Sequence, residues 1–120
     1  MLSYPANDFV IGSSRENRIE HGTVTPDATN ALKRGTVVAY DSSTDKYAAV
    51  TADNVAKAQA ILAEDVAAGS EDVVAPVYVS GDFIENGLTV GTDAAAVELT
   101  AAAKDNLKIH GIYLTNGITA

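Results

Sequence analysis

The amino-acid sequence predicts a mainly β domain with minor helix (an α+β chain) behind a flexible N-terminal arm. Two observations predict the domain: short β-branched and aromatic runs separated by turn residues from residue 36 onward, and a single segment with helix signals near the C-terminus. A third observation, the polar first 24 of the 120 residues, predicts the arm. We therefore divide the chain into an arm, residues 1–24, and one compact β domain, residues 25–120.

The clearest local element is a hairpin over residues 36–50. Residues 36–40 (TVVAY) are β-branched or aromatic except for Ala39 and predict a strand, and residues 46–50 predict its partner. The intervening residues 41–45 (DSSTD) carry carboxylate and hydroxyl side chains that bond nearby backbone in turns. This spacing is typical of an antiparallel hairpin.

A longer β segment is predicted over residues 72–85. Alternate residues from Val73 to Phe83 are expected to share one face of this strand, because side chains alternate across a strand. Asn86 and Gly87 then precede the apolar residues 88–90, and Asn-Gly between apolar segments predicts a second hairpin.

Two further segments differ in how well the sequence defines them. Residues 53–66 fit a helical stripe, yet residues 59–63 also fit a buried strand, so both assignments stay open. Residues 101–109 predict a helix, with Thr100 as its N-cap and Gly111 just past its end. Residues 112–115 predict the last strand.

The arm contains one apolar group, formed by Phe9, Val10 and Ile11, in an otherwise polar segment. Fixing backbone costs about 1–2 kcal/mol per residue, and so few apolar groups do not recover that cost alone. Composition leaves two interpretations open: a segment that orders on a partner, or a terminus that does not order.

Composition excludes several classes of partner and cofactor. The net charge is −8 and the eight basic residues are scattered, which argues against binding to nucleic acid. The chain has no cysteine, so thiolate chemistry and Cys-ligated zinc are excluded. No apolar run is long enough to span a membrane, and the N-terminus lacks the pattern of a signal peptide.

The acidic residues raise the question of a metal or acid/base site. The cluster comprises Glu64, Asp65, Glu71 and Asp72. A calcium loop would need ligands at its third and fifth positions, where this sequence has Val66 and Ala68. We expect His110 to cap the helix or lie at the surface. Neither the acids nor His110 lies in a catalytic sequence pattern, so we predict no enzyme activity, cofactor or metal site.

The order of four short motifs resembles the head decoration proteins of lambda-like tailed phages. The motifs are LKRGTVV at residues 32–38, AILAEDV at 60–66, VYVSGDF at 77–83 and GIYL at 111–114, after Leu107. The resemblance covers about residues 30–115. It is carried by the order and spacing of these apolar motifs.

The resemblance implies a β-clip-like domain that forms a homotrimer on the outer capsid surface of the virion. It implies a structural, non-enzymatic protein that cements the expanded head at three-fold positions. It also implies that the arm orders on the major capsid protein, and we expect Phe9, Val10 and Ile11 to be its capsid-binding residues. The alternative is a small β-rich receptor- or glycan-binding module of the phage particle, which would need an aromatic platform, whereas the five tyrosines are dispersed in the sequence.

Overall fold

A computed structural model describes residues 18–92 and 95–115 and shows five strands closed into a barrel-like sheet. The strands are β1 (Arg18–Thr25), β2 (Val37–Asp41), β3 (Lys46–Ala49), β4 (Ala58–Leu62) and β5 (Val73–Ile84). Their order is β1-β3-β2-β4-β5, and pairing of β1 with β5 closes the ring. The prediction of a mainly β domain with minor helix is confirmed. Its assignment to the β-clip type stays a prediction.

The remaining elements lie outside the ring. They are β6 (Gly91–Thr92), β7 (Ala95–Ala96), α1 (Ala101–Ile109) and β8 (Ile112–Thr115). Strand β8 pairs parallel to the second half of β5. The predicted helix is confirmed: the Thr100 hydroxyl accepts a hydrogen bond from the Ala103 amide at 3.1 Å, and Gly111 follows the helix with φ of +99°.

The barrel interior is filled by small and medium apolar side chains from all five strands. Its buried members are Val24, Leu32, Val38, Ala60, Leu62, Val66, Ala75 and Val77, and Tyr47, Ala49 and Val79 pack against them. Because these side chains are small, the strands pack closely around a narrow core. The barrel therefore needs no large aromatic residue at its centre.

A second core lies between the barrel wall and α1 with β8. It contains Val37, Ala39, Val50, Ala58, Ile61, Tyr78, Phe83, Ala103, Leu107 and Ile112. The ring centroids of Tyr78 and Phe83 are 5.2 Å apart, within the range of favourable aromatic contacts. The helix is also fixed to the barrel by a 2.8 Å hydrogen bond from the Asn106 side-chain amide to the Ala58 carbonyl.

The structure resolves the ambiguous segment 53–66. A short 3₁₀ turn, Val55–Lys57, leads into strand β4. Both faces of β4 are covered, because Ile61 packs into the second core and Leu62 into the barrel interior. Burial on both faces explains why this strand is alanine-rich and resembles a helix in its local sequence.

The hairpin predicted over residues 36–50 is confirmed, but the one predicted at Asn86-Gly87 is wrong. Glu85–Gly87 forms a 3₁₀ turn instead. The chain then crosses to β2, where the Val37 amide donates to the Thr89 carbonyl at 2.9 Å. Pairing with a distant strand thus replaces the local hairpin that the dipeptide favours.

The face predicted for Phe83 is also wrong. It lies in the second core with Tyr78, whereas Val77 points into the barrel. Arg18 pairs with Ser80 and Ile19 with Tyr78, so one residue of β5 has no partner on β1. This bulge shifts the alternation of side chains by one residue.

Candidate interaction surfaces

The predicted capsid-binding residues Phe9, Val10 and Ile11 lie outside the described residues, and their role stays a prediction. What the structure describes is the strand into which this segment leads. Strand β1 pairs with β5 from Arg18 to Val24, and Val24 is completely buried in the barrel. Residues 18–24 of the predicted arm therefore lie in a barrel strand, and the division of the chain into an arm and a domain stays a prediction.

Strand β1 has one side without a strand partner among the described residues. It pairs with β5 along most of its length, but with β3 only at Val24 and Thr25. The backbone of residues 18–23 therefore faces a gap between β1 and the β2–β3 hairpin. An unpaired strand edge is a site at which another extended chain can add to a sheet.

The gap is a polar crevice of about 370 Å³. It is lined by residues from all five barrel strands, among them Glu20, His21, Tyr40 and Tyr47, together with Asp45 of the β2–β3 turn. The rings of Tyr40 and Tyr47 are 5.1 Å apart, so these two tyrosines are adjacent although they are dispersed in the sequence. A hydrogen bond from the Tyr40 hydroxyl to the Asp45 carboxylate raises the pKa of Tyr40.

Gly22 lets Tyr47 pack against β1 beside the crevice. A Cβ atom on Gly22 would lie 2.7 Å from Cε2 of the Tyr47 ring, closer than carbon atoms approach. Burial of the half-buried ring raises the pKa of the Tyr47 hydroxyl. Gly22 lies within the predicted arm, so this contact with Tyr47 was not predicted. The β-branched residues 23–25, which favour a strand, were the available signal.

The acidic residues hold loops and strands together. The Asp65 carboxylate accepts a hydrogen bond from the Arg34 amide at 2.7 Å, and the Lys33 ammonium lies 3.8 Å from it. Asp72 accepts from the Thr25 hydroxyl at 3.0 Å and pairs with Lys46 at 2.5 Å. These two acids therefore link segments that are distant in sequence.

The pKa of Asp72 is lowered, first by its hydrogen bond with the Lys46 ammonium and then by that with the Thr25 hydroxyl. Both partners favour the charged carboxylate. Within residues 18–92 and 95–115, no three His, Asp or Glu side chains are grouped so as to hold a metal ion. Asp65 and Asp72 instead form hydrogen bonds and ion pairs that hold neighbouring segments of the fold together.

The histidines lie in separate parts of the fold. His21 is exposed on β1, and His110 is the C-cap residue of α1, where its Nδ1 lies 2.9 Å from the Asn106 carbonyl oxygen. The expectation that His110 caps the helix or lies at the surface is confirmed. Of the helices in the described part of the chain, none is long and apolar enough to cross a membrane.

A small barrel in which residues 18–23 of β1 lack a strand partner on one side is suited to contact with other protein chains. Comparison with protein families shows to which class of protein the chain belongs. The family described as Bacteriophage lambda head decoration protein D matches residues 3–112. The chain belongs to this family, whose members are structural proteins of the phage capsid. The match includes the N-terminal segment, which the motif-based resemblance did not cover. A search of curated proteins found no match.

Proposed function

We propose that this protein binds as a homotrimer to the outside of the expanded phage head at three-fold positions and stabilises the shell. The observation that carries the proposal is the family match, which includes the N-terminal segment as well as the barrel. Association would also stabilise a small domain whose cores contain few large side chains.

In this proposal residues 1–17 are the arm, and they order by adding to strands of the major capsid protein. The position of β1 supports this assignment, because the arm enters the fold at a strand whose backbone has one unpaired side over residues 18–23. An extended segment of 17 residues reaches about 55 Å at ~3.3 Å per residue, enough to leave its own subunit. Three arms on one trimer would bind with avidity, about 10²–10⁴ beyond one arm.

Phe9, Val10 and Ile11 are the apolar anchors of the proposed arm. Full burial of each such side chain contributes about 1.5–3 kcal/mol, so the three together decide whether the arm binds. The polar residues around them keep the free arm soluble. The outer surface of the head also suits a chain of net charge −8, because it lies away from the packaged DNA.

Co-sedimentation with expanded heads of its own phage tests the proposal. The full-length protein is compared with a triple variant, Phe9→Ser, Val10→Ser and Ile11→Ser, and with a control that carries Ser13→Ala and Ser14→Ala. We expect the control to bind as the full-length protein does and the triple variant to bind at least ~100-fold more weakly, from the lost burial. Equal binding of all three would refute the role of the arm, and no binding of the full-length protein would refute decoration itself.

A further inference from the structure

A surface groove opens beside the first residues of β5, on the side of the acidic loop, residues 64–71. The groove measures about 460 Å³, and its wall includes Val73 and Val74 together with Ala67 and Ala68 of the loop. Val74 is 71% exposed and Val73 is 40% exposed. Adjacent exposed apolar side chains in a concave surface are typical of a contact site.

The rim of this groove is acidic. Glu64 and Glu71 line it, are exposed, and form no ion pair with any other residue in 18–92 or 95–115. Asp65 also lines the groove, but its charge is shared with the nearby Lys33 ammonium. The groove therefore suits an apolar side chain that is accompanied by a positive charge.

The C-terminal end of α1 offers such a group. Ile109 is 78% exposed, the highest value among the large exposed apolar side chains of the described residues. Lys108 beside it is exposed and has no ion-pair partner in the described part of the chain, whereas Lys104 is held by Glu85 at 3.0 Å. Asp105 precedes Ile109 by one helical turn, and Lys108 is the cation next to the apolar tip in the sequence.

The groove and this helix end lie beside different parts of β5. Gly111, two residues after the end of α1, accepts a hydrogen bond at 2.9 Å from the amide of Gly81 in the second half of β5. Val74 is seven residues earlier on β5, which is about 23 Å at ~3.3 Å per residue. The side chain of Ile109 does not span this distance, so one chain does not fill its own groove.

We propose that the end of α1, with Ile109 and Lys108, inserts into the groove at Val73 and Val74 of a second copy of this chain. Such a contact is heterologous, because two different patches meet, and repetition of a heterologous contact closes a ring when the rotation allows. The inference rests on the proposed homotrimer and names the residues of its subunit contact. Each subunit of the ring uses one groove and one helix end.

Two single variants and their mixture test this contact. Ile109→Glu puts a carboxylate against the acidic rim, and Val74→Glu puts one in the groove. Both positions are exposed in the subunit, so each variant should fold, which circular dichroism verifies. Ala102→Glu is the matched control, because it adds the same charge at an exposed position of the same helix, near its N-terminus.

Analytical ultracentrifugation over a range of concentrations is the measurement. We expect wild type and Ala102→Glu to have three times the 12.4 kDa mass of one chain. Each of the two groove-contact variants should dissociate at a protein concentration at least about tenfold higher. Ile109→Glu brings a carboxylate against the acidic rim, and Val74→Glu buries a carboxylate against the apolar side chain of Ile109. A mixture of the two variants should form 1:1 dimers of twice the single-chain mass, since one intact helix end can meet one intact groove while the ring stays open.

The outcomes separate this inference from the proposed function. If wild type is trimeric and the two variants associate as tightly as wild type, or their mixture forms no dimer, the contact is refuted while the trimer stands. Variants that stay trimeric but lose binding to expanded heads would assign the groove to the capsid and would also refute the contact. A wild-type protein that is monomeric at every concentration would refute the proposed trimer, and this contact with it.

Discussion

Deletion of residues 1–24 is expected to destabilise the barrel severely, whereas deletion of residues 1–17 is expected to leave it folded. The longer deletion removes nearly all of β1, which contributes seven register pairs to β5 and the completely buried side chain of Val24. The shorter deletion removes only residues that precede the strand. The two truncations therefore differ by one strand of a closed ring.

The magnitude follows from what β1 covers. Burial of Val24 contributes about 1.5–3 kcal/mol, and loss of the strand also exposes Ala75 and Val77 and the backbone of β5 to water. We expect a loss of at least ~3 kcal/mol, a large fraction of the roughly 5–15 kcal/mol that stabilises a domain. One kcal/mol shifts the Tm of a small domain by about 4–8 °C, so the Tm should fall by more than about 10 °C.

Thermal unfolding followed by circular dichroism measures both truncations at one protein concentration, since association also shifts the Tm. The protein without residues 1–17 should unfold within about 3 °C of the full-length protein, because it keeps the whole of β1. The protein without residues 1–24 should unfold far lower or lack a cooperative transition. A Tm for the longer deletion equal to that of the shorter one would refute the placement of β1 in the barrel.

Three substitutions test other parts of the fold. Phe83→Ala should cost about 3–5 kcal/mol in urea unfolding, since it empties the centre of the second core, and a cost under ~1 kcal/mol would contradict that packing. Thr100→Ala should cost about 0.5–2 kcal/mol through loss of the N-cap of α1, while Thr100→Ser should be near neutral; equal effects would exclude the cap. The pKa of Asp72 is lower in the folded than in the unfolded state. Its contacts therefore stabilise the fold fully at a pH above the unfolded-state pKa, and this stabilisation is lost as the pH falls through the folded-state pKa. Asp72→Asn should therefore weaken the dependence of the free energy of unfolding on pH in the acid range. An unchanged dependence would show that the contacts with Lys46 and Thr25 do not contribute to stability.

The elements that sequence reasoning predicted correctly are those whose signals are local. The β2–β3 hairpin has its turn residues between two β-branched runs, and α1 has its cap at Thr100 and its glycine at Gly111. In each case the stabilising contacts lie within a few residues of one another. Short-range patterns therefore suffice to place these elements.

The elements that were not predicted from the sequence depend on contacts between distant segments. The first four residues of β1 are exposed in the fold, and three of them are polar, so the sequence there does not resemble a buried strand. The segment is a strand because it pairs with β5. The Asn86-Gly87 hairpin gives way to pairing of Thr89 with Thr36. Phe83 changes face because of a bulge that the pairing of β1 with β5 creates.

The candidate surfaces were predictable only in part. The expectation that the acidic residues 64–72 hold no metal, which rests on Val66 and Ala68 at ligand positions, stays a prediction. The sequence did not indicate the crevice beside β1, since Glu20, Tyr40 and Tyr47 come together only when the ring of strands closes. The groove at Val74 likewise forms only where the loop folds back along β5.

Electron cryo-microscopy of expanded heads mixed with the purified protein tests the central claim most directly. The account predicts density for three copies of the barrel at three-fold positions on the outer surface, with the chain before residue 18 continuing along the major capsid protein. Unexpanded heads imaged in parallel should lack this density. Expanded heads that carry no added density at saturating protein, or density at other positions, would contradict the account.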